Sequence, residues 1–167
     1  PIFYCLWLFF TGEKSLALRF SSAFLFVNLI GFCGYYIHPA APPWYVMQYG
    51  FELIFNTPGN VAGFDHFDTL LGIPVFHSIY SGNANVFAAI PSLHAAYCPI
   101  ALFYALKVRN NAVWITILTI VSVGIWFSAV YSCHHYIIAV LPFFFLPLFF
   151  FFLPFFFLLL FFFLLLF

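Results

Sequence analysis

The 167 residues balance four Lys or Arg against four Asp or Glu, for a formal net charge of zero, and 66% of them are hydrophobic and 26% aromatic. Charged residues make up 5%, where a soluble globular chain carries about a quarter, so one domain cannot bury this much apolar surface and a soluble class is excluded. No basic stripe points to nucleic acid. Apolar runs of helix length, rather than short alternating ones, exclude a barrel, which leaves an all-α polytopic transmembrane helical bundle as the expected fold.

The chain opens on Pro1 without a methionine or a charged leader, so residues 1–10 are expected to be the end of a helix that begins upstream. The polar break Thr11-Gly12-Glu13-Lys14-Ser15 leads into an apolar run from Leu16 to Ile37. About 22 residues rising about 1.5 Å each reach about 33 Å, enough for a bilayer core of about 30 Å. Arg19, one turn inside, is placed to snorkel back toward Lys14.

From His38 to Pro91 the texture changes. Pro39, Pro42, Pro43, Pro58 and Pro74 punctuate a stretch that also holds Glu52, Asp65 and Asp68. It is too polar to span, and Trp44, Tyr45, Tyr49, Phe51, Phe64 and Phe67 suit short helices and loops lying at the interface. Asp65 and Asp68 are expected to be simply solvated. The run Leu93 to Leu106 is short for a span and ends at Lys107-Val108-Arg109, so it is expected to start below the outer surface with His94 sunk in the headgroup layer. Ala112 to Cys133 is a second full-length run, followed by His134-His135 and renewed apolarity from Tyr136. Residues 142–167 contain only Pro, Phe and Leu. Prolines interrupt a helix and no small residue is present for helix packing. We therefore expect one membrane domain over 1–141 and a low-complexity tail, the product of a misread or frame-shifted pyrimidine tract. An in-frame Phe/Leu tract on resequencing the parent gene would overturn that expectation.

If successive spans alternate in direction, Lys14, Arg19, Lys107 and Arg109 fall on one face, which the positive-inside rule makes cytoplasmic. His94 and His134-His135 then share the opposite, periplasmic or lumenal face.

Pro91 and Ser92 announce a helix start: proline has no amide to leave unpaired, and the serine hydroxyl can accept from the first exposed amides. His94 follows at the electropositive helix end, where an anionic oxygen can be held. Cys5, Cys33, Cys98 and Cys133 lack paired metal-ligand spacing and read as buried or membrane-facing thiols. His134 and His135 are adjacent and point different ways, so no metal site is expected. Cys133 beside His134 makes a poor thiol nucleophile, since chain neighbours rarely align for proton transfer. Spacing alone leaves His94 and His135 open between a catalytic pair and interfacial amphipathic residues.

Pro91-Ser92-Leu93-His94 resembles the second signature of the phosphatidic acid phosphatase type 2 superfamily, with Leu93 where many members have glycine. His134-His135-Tyr136-Ile137-Ile138 resembles the core of its third. The segment Tyr36-Ile37-His38-Pro39-Ala40-Ala41-Pro42-Pro43-Trp44-Tyr45 is similar to the inositol phosphorylceramide synthase branch. The resemblance covers about Thr11 to Leu141. It implies phosphoryl-group transfer without a metal or other cofactor, from a phospholipid donor to a ceramide or diacylglycerol-like acceptor. His135 would attack phosphorus to form a phosphohistidine, and His94 would serve as acid and then base.

Two positions depart from the pattern. The aspartate that the family places four residues after the nucleophile is Ala139, and the arginine six residues before it is Ala129. Phosphate binding would then rest on the amides after Ser92, including that of Leu93, on His38 and His134, and on Asn83 and Asn85. Three readings follow: a lipid phosphotransferase, a lipid phosphatase using water, and an inactive membrane relative.

Overall fold

The computed structural model describes residues 1–82, 85–107 and 111–144, with side chains through Leu141. The tail from residue 145 onward, Asn83 and Arg109 lie outside the described residues. Within them helices are joined by turns and loops, and the one bridge is a parallel pair between Ala40 and Ala88.

The helices are α1 (Ile2–Phe10), α2 (Lys14–Ile37), α3 (Pro43–Tyr49), α4 (Asp65–Leu71), α5 (Val75–Tyr80), α6 (Leu93–Lys107), α7 (Ala112–Tyr131) and α8 (Ile137–Phe144). Two of them, α2 and α7, are long and apolar enough to cross a membrane. They leave Leu25, Leu29, Ile120 and Phe127 exposed on their outer faces, as helices facing lipid do.

The shorter α6 is the central post of the bundle, with Ala95, Ala96, Ile100 and Ala101 wholly buried. Small residues along it let α2 and α7 approach closely. Three side-chain bonds set α2 antiparallel to α6: Tyr35 Oη to the Pro91 carbonyl at 2.9 Å, Tyr97 Oη to Asn28 Oδ1 at 2.7 Å, and Tyr104 Oη to the Arg19 carbonyl at 3.2 Å. Buried Tyr4 of α1 meets Phe20 of α2 and Trp114 of α7 edge to face. The described cations Lys14, Arg19 and Lys107 accordingly sit toward one end of the bundle, and the two histidine motifs toward the other.

Residues 38–82 and 85–92 form a cap over the histidine end. It is stitched together by Ala40 N–H to the Phe87 carbonyl at 2.9 Å and Ala89 N–H to the Ala40 carbonyl at 3.1 Å. The turn after α7 holds it down: Trp44 N–H donates to the Cys133 carbonyl at 3.0 Å and Gly63 N–H to the Ser132 carbonyl at 3.1 Å. Gly63 is required for that seam, because a Cβ there would lie 2.8 Å from Ser132 Cα.

The cap corrects one expectation. Asp68 is buried rather than solvated, and its carboxylate accepts the N–H groups of Phe76 at 2.9 Å and His77 at 2.7 Å. It thus satisfies the first free amides of α5 from the neighbouring helix, the role a local cap usually fills. Asp65 is exposed, as expected.

Candidate active site

The helix start read at Pro91–His94 is present. Ser92 is fully buried and its Oγ accepts from Ala95 N–H at 3.4 Å, while the helix itself begins at Leu93. Leu93 packs into the space left by Gly31 on α2, where a Cβ would fall on Leu93 Cδ2. With Tyr35 bound to the Pro91 carbonyl, α2 clamps the motif from one side and leaves the exposed His94 ring facing a cleft.

His135 arrives from the turn after α7. Its N–H donates to the Ala129 carbonyl at 3.0 Å, closing the helix end. Its Nδ1 lies 2.7 Å from the carbonyl oxygen of Ala89. A carbonyl can only accept, so Nδ1 carries the proton, and in the neutral ring the lone pair is on Nε2. Burial, together with the neighbouring charges of His94 and His134, lowers the His135 pKa to about 4 against the opposing pull of the Ala89 bond. The imidazole is therefore neutral, and basic at Nε2, across the physiological range.

Both rings border a cavity of about 320 Å³, walled by Tyr35, Trp44, Tyr80 and Asn85. A second lobe of about 230 Å³ between α6 and α7 shares His94, His135, Tyr80 and Tyr97 with it and extends to Cys98, Ser128 and Ala129. The cleft thus has an aromatic, partly polar mouth and a more apolar branch into the bundle. Among the described residues no Lys or Arg lines either lobe, and no three His, Cys, Asp or Glu side chains group as metal ligands.

The other expected site residues divide. His134 borders the cleft but has both nitrogens engaged: Nε2–H donates to the Asn60 carbonyl at 3.0 Å, and Nδ1 lies 3.0 Å from Ser132 Oγ. Its ring packs on Tyr80, with centroids 4.2 Å apart, and on Phe64, and burial lowers its pKa. It ties the cap to the turn and has no free N–H for a phosphate. His38 is exposed, ends α2 through its own N–H on the Gly34 carbonyl at 2.8 Å, and is not among the residues lining the cleft. Asn85 lines the cavity mouth. Ala139 is buried in α8, and Ala129 is buried where the apolar lobe passes it.

Sequence reasoning did not single out Ala89, Tyr35, Tyr97 or Tyr80. Tyr97 had a signal, standing three residues after His94 on the same helix face. Ala89 had none, because it acts through its main chain.

An all-helical bundle with two histidines from separate elements facing one cleft defines a membrane-type protein with a histidine-paired site. Residues 1–143 match the PAP2 superfamily, and the chain belongs to that family. It is 59% identical over 141 residues to a phosphoinositol dihydroceramide synthase of Bacteroides thetaiotaomicron, covering 84% of this chain and 46% of that protein. It is 31% identical over 137 residues to the inositol phosphorylceramide synthase of Candida albicans, covering 80% of this chain and 28% of the relative. It is also 31% identical over 119 residues to the inositol phosphorylceramide synthase catalytic subunit of Saccharomyces cerevisiae, covering 70% and 29%. The chain thus spans less than half the length of these relatives. No solved structure matches it.

Proposed function

We propose that this chain carries the catalytic histidines of a membrane lipid phosphotransferase. It would move a phosphoinositol-type headgroup from a phospholipid to a ceramide-like lipid on the non-cytoplasmic face. The observation that carries the reading is the His135 Nδ1–H bond to the Ala89 carbonyl, which leaves Nε2 as the free base on a cleft that His94 also borders. The names of the relatives supply the phosphoinositol group and the ceramide-type acceptor, and the phospholipid donor comes from the family resemblance.

His135 Nε2 attacks phosphorus and the bond to the diacylglycerol oxygen breaks, while His94 as imidazolium gives that oxygen its proton. The ceramide-like hydroxyl then attacks the phosphohistidine, His94 takes the hydroxyl proton, and the N–P bond breaks to restore His135. The phosphate oxygens would meet the start of α6 beside His94, where the helix dipole favours an anion. The aromatic cap over the cleft limits water, the competing acceptor.

The test uses protein from the complete coding sequence, purified and given phosphatidylinositol labelled in the inositol ring together with ceramide. A labelled phosphosphingolipid with one diacylglycerol per turnover is expected. So is an acid-labile phosphoenzyme that disappears in His135→Ala and forms far more slowly in His94→Ala, where the departing oxygen has lost its acid. Labelled inositol phosphate in place of the sphingolipid would replace this reading with hydrolysis. No product and no phosphoenzyme would mark an inactive relative.

A further inference from the structure

Pro99 lies inside α6. Proline has no amide hydrogen, so the carbonyl four residues earlier, that of Ala95, is left without a partner in its own helix. Within a bilayer such a carbonyl cannot turn to water, and a proline is tolerated there only if a neighbouring group satisfies the acceptor. Trp126 of α7 does so: its Nε1–H donates to the Ala95 oxygen at 2.9 Å.

The position of this bond gives it consequences for the cleft. Ala95 is wholly buried and directly follows His94. Trp126 lies one turn before Ala129, whose carbonyl accepts the N–H of His135. The indole therefore joins the backbone beside one histidine to the helix end that holds the other. On the opposite side, Gly31 and Tyr35 of α2 hold Pro91 and Leu93. Neither contact of α2 restrains α6 against α7. The Trp126 bond does.

We infer that Trp126 is a positioning residue, and that the acceptor exposed by Pro99 together with the Trp126 indole forms a clamp setting the placement of His94 relative to His135. The inference rests on the catalytic reading of the two histidines given above. A bulky indole also fills space, so its packing must be separated from its hydrogen bond, and Pro99 supplies the means. Pro99→Ala returns an amide to α6, and that amide satisfies the Ala95 carbonyl without help from α7.

The experiment compares Trp126→Phe, Pro99→Ala and the double variant in the complete protein. Because a misplacement of about 1 Å can cost on the order of a hundredfold in rate, Trp126→Phe is expected to lower kcat for headgroup transfer by about tenfold to a hundredfold. The donor and acceptor KM should stay within about twofold, the mark of an interaction realised in the reacting complex. In the Pro99→Ala background the same change should cost little in kcat or in thermal midpoint. Equal losses in both backgrounds would overturn the clamp in favour of packing alone, and so would a rise in KM with kcat intact. Should the parent protein transfer no headgroup, the proposed function fails separately, and the clamp is read from His94 itself. Its rate of carbethoxylation by diethylpyrocarbonate, followed by mass spectrometry, should change in Trp126→Phe and differ little between Pro99→Ala and the double variant. An unchanged rate would overturn the clamp.

Discussion

Leu93 of α6 sits in the space that Gly31 leaves on α2, so closely that any side chain at 31 would collide with its Cδ2. The PAP2 signature that Pro91–His94 resembles has glycine at the Leu93 position in many members. In this chain the small residue is on the facing helix instead, so the two helices still come close enough for Tyr35 to bind the Pro91 carbonyl.

Gly31→Val should therefore disturb the start of α6. Overpacking of a close contact costs about 1–3 kcal/mol, and the displaced motif should also lose activity. The companion change Leu93→Ala makes room again. Thermal unfolding in detergent should show Gly31→Val less harmful in the Leu93→Ala background than in the parent, whereas independent effects would simply add.

Ala139 replaces the carboxylate that the family resemblance implies beside the nucleophile. In a serine-protease triad, loss of the carboxylate costs about 10⁴ in turnover because the imidazole takes the wrong tautomer. Here the Ala89 carbonyl already fixes the Nδ1–H tautomer, so a new carboxylate can add electrostatic support only. Ala139→Asp should raise the His135 pKa, and a gain of one to two pKa units in partner interaction corresponds to about tenfold to a hundredfold, well short of the triad figure. Titration of the His135 ring resonances by NMR, together with the rate of phosphoenzyme formation, checks both halves.

The pH dependence of stability follows from the same ring. Burial lowers the folded His135 pKa to about 4 from the ordinary 6.5. Above pH 6.5 the ring is neutral in both folded and unfolded chains, and its contribution is fully present. As pH falls from 6.5 toward 4 the unfolded chain takes up a proton that the fold refuses, so stability is lost across that window. His134 is shifted in the same direction by its own burial and adds to the loss. Thermal midpoints in detergent between pH 8 and pH 4 should decline toward acid, and His135→Gln should flatten part of the decline. A midpoint independent of pH would contradict the burial of this ring.

Composition and order along the chain were enough to read the membrane class, the two long apolar helices, the described cations Lys14, Arg19 and Lys107 toward one end and the histidine motifs toward the other. Each of these depends on side-chain type and on distance along the chain, which a sequence displays directly. The helix start at Ser92 was legible for the same reason, since a cap acts within a few residues. The role of Asp68 was not, because its partners, the amides of Phe76 and His77, belong to a different helix. His38 and His134 were grouped with the phosphate by their chemistry, and packing assigned them otherwise. One ends α2, and the other gives both nitrogens to the cap and its turn. The tautomer of His135, the room for Leu93 and the partner of the Ala95 carbonyl were decided only in the folded chain. In each case one partner is a main-chain carbonyl or an absent side chain, and neither leaves a mark in the sequence until tertiary packing brings the other partner to it.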